Sequence, residues 1–101
     1  MKVRYTRPAL SRLGELVAVL YEQNPFAVQR LAKQLACSIR RIEAFPLSGA
    51  RVPEFPSRPI RQFFVEPYRF FYYVDAPKKT VWIVSIWHGA QLPAEPRIPA
   101  L

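Results

Sequence analysis

The run from Ile60 to Val74 constrains this chain most, because Phe63, Phe64, Val65, Tyr68, Phe70, Phe71, Tyr72 and Tyr73 crowd two short stretches on either side of Glu66-Pro67. Aromatic and β-branched residues favour strands, where successive side chains point to opposite faces. The spacing predicts a β-hairpin turned at Glu66-Pro67, with Arg61 on the first strand and Arg69 on the second. Asp75-Ala76-Pro77-Lys78-Lys79 then turns the chain into a closing apolar strand, Thr80 to Trp87, that ends in His88-Gly89. Strands of this kind need a sheet.

The first half reads as helix. Lys2-Val3-Arg4-Tyr5-Thr6 alternates polar and apolar, the pattern of a half-buried edge strand. Thr6 is placed to cap a helix, with Pro8 in its first turn, and Leu10, Leu13, Val17 and Leu20 recur at helical spacing to about Gln23. Asn24-Pro25 stops that helix and starts another. Val28, Leu31, Leu35, Ile39, Ile42 and Phe45 form its apolar stripe, with Arg30, Lys33, Arg40 and Arg41 mostly off it. Pro46 ends this second helix, and the prolines at 53, 56 and 59 make Leu47 to Pro59 a loop bearing Arg51 and Arg58. The tail from Leu92, with Pro93, Pro96 and Pro99, is expected to be extended or disordered.

The order β-α-α-β-β-β implies a two-layer α+β sandwich, a helical hairpin packed on one face of a largely antiparallel sheet. Residues 1–91 then form a single domain and 92–101 a proline-rich tail. The other face of the sheet is left to meet water or a partner.

Fifteen Lys and Arg against seven Asp and Glu give a formal net charge of +8, which favours nucleic acid, ribosomes or an acidic protein as partner. Eleven of those cations are arginine, whose planar fork grips phosphate or carboxylate and stacks on rings. A single cysteine, Cys37, excludes an intramolecular disulfide and reads as a residue on a helix flank. Signal-peptide and membrane-spanning patterns are missing, so a cytoplasmic protein is expected. One histidine and one cysteine offer no metal-ligand spacing, and three scattered glycines form no phosphate-binding loop. No cofactor and no small-molecule substrate is expected.

The residues able to carry chemistry are few. Period-two counting puts Arg61, Phe63 and Val65 on one face of their strand, and Arg69, Phe71 and Tyr73 on one face of the next. Whether the two arginines share a face depends on the hairpin register, which sequence leaves open. On a shared face they would line a basic, aromatic cleft suited to phosphate and stacked bases, with Tyr73, Arg51 and Arg58 as further contacts. On separate faces each would rim the sheet and pair with Glu54 or Glu66. His88, the only histidine, can serve as an acid or base near neutrality or as a hydrogen-bonded residue at a strand end.

In the order and spacing of several elements the chain resembles the RelE/ParE superfamily of small bacterial toxins from toxin-antitoxin pairs. The matching features are Asn24-Pro25 opening a long helix, Phe45-Pro46 followed by Gly49 and Arg51, the Arg61 strand, Pro67-Tyr68-Arg69 with its aromatics, and Ile83 to His88-Gly89. They run through residues 3 to 91. In the ribonuclease members an arginine follows the tyrosine of this strand and contacts the RNA phosphate at the cut, which the resemblance assigns to Arg69. Those members also carry a basic residue just after His-Gly and a tyrosine or histidine near the C-terminus. Here Ala90-Gln91 stands at the first position and neither residue type follows it.

Two mechanisms follow from the resemblance and a third from composition. The preferred one is a ParE-like toxin that poisons DNA gyrase by protein binding, with Arg61, Arg69 and the tail as contact surface. The second is a RelE-like endoribonuclease cutting mRNA on the ribosome, with Arg69 stabilising phosphorane charge, Arg61 positioning RNA and His88 as acid or base. The third is a nucleic-acid-binding module unrelated to toxicity. Both toxin readings imply a cognate antitoxin, an acidic segment with apolar anchors lying between the helical hairpin and the sheet. Leu10, Leu13, Val28 and Leu31 are its candidate contacts.

Overall fold

The structure is a computed structural model that describes residues 1–89, 91 and 93–99. Ala90, the position after His-Gly at which the resemblance leads one to look for a basic residue, lies outside the described residues, as do Leu92, Ala100 and Leu101 of the tail.

The chain runs β1 (Lys2–Tyr5), α1 (Arg7–Gln23), α2 (Pro25–Ala44), β2 (Ala50–Arg51), β3 (Ile60–Val65), β4 (Tyr68–Asp75) and β5 (Thr80–His88). The strands form one sheet in the order β1-β5-β4-β3-β2, parallel between β1 and β5 and antiparallel elsewhere. The α+β architecture expected from the sequence is therefore the one observed. One strand is additional, since the loop expected from Leu47 to Pro59 places Ala50 and Arg51 beside Gln62 and Arg61 before turning away.

Both helices start where the capping residues put them. The Thr6 hydroxyl accepts from the Ala9 N–H and donates to the Ile83 carbonyl, tying the start of α1 to β5. The Asn24 side chain accepts from the Phe26 N–H, and Pro25 fills the first position of α2, where no N–H is needed. The buried stripe of α1 runs through Ala9, Leu13, Leu16 and Leu20, so Leu10, one residue off that line, is 57% exposed. On α2 the stripe holds from Leu31 to Ile42, but Phe45 stands at the C-cap, where the helical path has ended, and is 67% exposed.

The helices cover the inner face of the sheet. Leu16, Leu31 and Ile42 meet Phe63, Val65, Phe70, Tyr72, Ile83 and Ile86 in the main core, and the Phe63 and Phe70 rings stack at 5.1 Å. Most of the outer face, expected to meet water or a partner, is covered by the chain itself, although Phe64 beside Arg69 stays exposed. Val52 and Phe55 of the β2–β3 connection and Ile98 of the tail pack over Ile60, Phe71, Val84 and Trp82. Among the described residues of the tail, 93–99, none is in a helix or strand, in keeping with its prolines, but Pro96 is buried against the protein. Val84, the extra residue of a bulge in β5 opposite Phe71 and Tyr72 of β4, adds its side chain to this second core.

Candidate functional site

The hairpin register separates the two arginines. Arg61 lies opposite Tyr72 and Arg69 opposite Phe64, so Arg61 points to the inner face and Arg69 to the outer one. The shared basic cleft does not form.

Arg69 is only 8% exposed and its guanidinium is occupied. Nη1 and Nη2 donate to the two Glu54 carboxylate oxygens at 2.8 and 2.9 Å, a forked pair, and Nε donates to Gln62 Oε1 at 2.9 Å. The cation sits 5.0 Å from the centre of the Phe71 ring beneath it. These hydrogen bonds pull the Glu54 carboxyl down to about 2 and push the guanidinium further up. Gln62 uses its other end to donate to the Arg51 carbonyl, which links the network to β2. An ion pair with this geometry closes the 52–59 segment onto the sheet, because a guanidinium this buried needs a counter-charge.

Arg61 works on the inner face. Its Nη1 donates to the Gly49 carbonyl at 2.9 Å. The neighbouring Tyr72 hydroxyl donates to the Pro46 carbonyl at 2.7 Å and accepts from the Gly49 N–H at 2.9 Å. Together they hold the chain that leaves α2. Glycine is needed at 49, since a Cβ there would fall on the Tyr72 hydroxyl and 2.6 Å from the Gln62 carbonyl. Burial pushes the Tyr72 hydroxyl's pKa up, so it stays protonated as a donor.

His88 lies at the far end of β5, opposite Tyr68, with the two rings edge to face at 5.8 Å. Its backbone N–H donates to Gln91 Oε1, and the Gly89 N–H donates to the Pro67 carbonyl, so the His-Gly step fastens the end of β5 to the hairpin turn. Arg61 and the row containing His88 are four residues apart along the ladder, roughly 13 Å by strand rise. The three candidate catalytic residues thus occupy two faces and two ends of the sheet.

Of the other candidate contacts, Arg51 is exposed on β2, while Arg58 is tied to the tail by a 3.0 Å ion pair with Glu95. Tyr73 is half-buried in the outer core. Among the apolar candidates for antitoxin contact, Leu10 is exposed, Leu13 and Val28 are half-buried, and Leu31 is 5% exposed within the main core, with almost no surface left to offer. A groove of about 650 Å³ runs between α1 and the end of the sheet, lined by Arg12, Glu15, Leu16, Val19, Tyr68 and His88. The pairing with Glu54 is the alternative expected for arginines on separate faces, whereas Gln62, which holds Arg69 Nε, carries no signal in the sequence. Among the described residues no three His, Cys, Asp or Glu side chains gather into a metal site, and no helix is long and apolar enough to cross a membrane.

A family model described as the ParE toxin of the type II toxin-antitoxin system, parDE, matches residues 3–93. No curated protein matches the chain. The matched span takes in the helical hairpin, the sheet from Val3 on, the Arg69–Glu54 pair and the His-Gly step, and stops at Pro93, before the rest of the tail. The chain belongs to the ParE toxin family of type II toxin-antitoxin systems, whose members pair with an antitoxin protein.

Proposed function

We propose that this toxin acts by binding a protein target, as a poison of DNA gyrase, and not by cutting mRNA. The state of Arg69 carries the reading. A phosphate-binding arginine must present free N–H groups to an incoming oxyanion, whereas three donors of Arg69 are committed to Glu54 and Gln62 and its surface is almost closed. A phosphate would have to displace a carboxylate already bound through both oxygens. Arg61 and His88, in separate places, offer no second half of a cleavage site. Side chains such as Phe26, Phe45, Leu47 and Phe64, which expose large apolar area, are of the type that protein partners bury.

Inducible expression in a bacterium, with DNA, RNA and protein synthesis followed separately, tests the proposal. DNA synthesis is expected to stop first, with double-strand breaks and intact mRNA. Translation halting first, with new mRNA ends that vanish in an Arg69→Ala variant, would overturn it.

A further inference from the structure

We propose that the outer face of the sheet is a recognition site for an extended protein segment with an acidic residue, a proline and, two residues after the proline, an aliphatic residue. The chain's own tail occupies the site in cis, and a partner segment of the same chemistry displaces it. The proposal goes beyond the toxin's target and does not depend on it.

The seated tail supplies the pattern. Glu95 pairs with Arg58 Nη1 at 3.0 Å, the Pro96 carbonyl accepts from Arg58 Nη2 at 3.5 Å, Pro96 is buried, and Ile98 packs into the outer core. Pro93, Pro96 and Pro99 recur every third residue, the repeat of a polyproline II turn, and all three are less exposed than Ala94, Glu95 and Arg97 between them. Trp82 and Trp87 line the floor, and aromatic-lined grooves are where proline-rich segments dock.

Two further observations mark the tail as a replaceable ligand. A cavity of about 570 Å³, walled by Pro8, Trp82, Val84 and Trp87 on one side and the tail on the other, leaves the groove underfilled. In addition, the buried Arg58 Nε has no hydrogen-bond partner, so the fork that could grip a carboxylate through two nitrogens holds Glu95 through one. A segment with a better-placed acid and a bulkier apolar residue would satisfy both, and the +8 chain favours an acidic one.

Both tryptophans of the chain lie on this face, so their fluorescence reports on it. The probe is a synthetic peptide with the sequence of residues 93–99, titrated into the full-length wild type and a full-length Ile98→Asp variant whose tail is loosened. Glu95→Lys, at an exposed position, serves the same purpose where Ile98→Asp does not fold. Because the tethered tail competes at high effective concentration, the loosened protein should bind the peptide more tightly than the wild type, by about ten-fold or more for Ile98→Asp and by about two- to five-fold for Glu95→Lys. A peptide carrying Glu95→Lys, or an added Arg58→Ala in the protein, should weaken that binding several-fold. Wild-type and loosened proteins binding alike, neither binding at millimolar peptide, or indifference to the peptide's acidic residue would each overturn the proposal.

Discussion

The two faces of the sheet are built from the same alternating strands and are closed in different ways. On the inner face Phe70 stacks on Phe63 beneath two helices, and the contacts are almost wholly apolar. On the outer face the next residue, Phe71, is just as buried, but its cover is an irregular connection and a tail fastened by the Arg69–Glu54 and Arg58–Glu95 pairs. Regular elements bury area without special chemistry, whereas irregular chain has to be pinned by polar groups. The charges that look like function in the sequence are, on the outer face, largely the pins.

Substitutions on each face give unequal effects if this contrast holds. Phe70→Ala, in the inner core, should cost about 3 to 5 kcal/mol, a large part of the total stability of a domain this size, measured by urea unfolding. A cost below about 1 kcal/mol would show an inner face more loosely packed than described.

At the junction between the faces, Tyr72→Phe leaves the Pro46 carbonyl and the Gly49 N–H without their partner and should cost about 1 to 3 kcal/mol. Gly49→Ala should cost a comparable amount, about 1 to 3 kcal/mol, because the new methyl collides with the same hydroxyl.

On the outer face, Glu54→Gln removes the counter-charge of Arg69. Its cost should be about 1 to 2 kcal/mol, less than for a fully buried pair because the Glu54 side chain is one-third exposed. The same variant has a pH signature. The carboxyl falls from 4.5 to about 2 on folding, so the stabilisation is complete above 4.5 and fades as the pH drops towards 2. Thermal unfolding from pH 6 to pH 2 should therefore show a shallower acid loss for Glu54→Gln than for the wild type. Parallel curves would remove the pair from the account.

The smallest effect is expected for Glu95→Lys, which breaks a half-exposed ion pair and should change stability by less than about 1 kcal/mol, while acrylamide quenching of tryptophan rises. A large loss of stability would make the tail an integral part of the fold.

Local signals were legible in the sequence and long-range ones were not. The caps Thr6 and Asn24 and the Glu66-Pro67 turn act within a few residues, and the chain follows them. Period-two counting assigned residues to faces within each strand, but which faces coincide depends on register, and the register is settled by how the aromatics pack beneath the helices. The partnership of Arg69 with Glu54 spans fifteen positions and requires the proline-rich connection to fold back, which no periodicity announces. Likewise the tail's prolines exclude regular structure without saying that Trp82 and Trp87 form a floor for them. The ordered resemblance across the chain reached the toxin family because it draws on many positions at once.

The measurement that tests the central claim most directly is a side-by-side assay of the purified full chain, on DNA gyrase supercoiling and on mRNA bound to translating ribosomes. The account predicts inhibition of supercoiling with cleaved DNA trapped on gyrase, and no new mRNA ends. Cleavage of ribosome-bound mRNA that depends on Arg69, with supercoiling untouched, would contradict it.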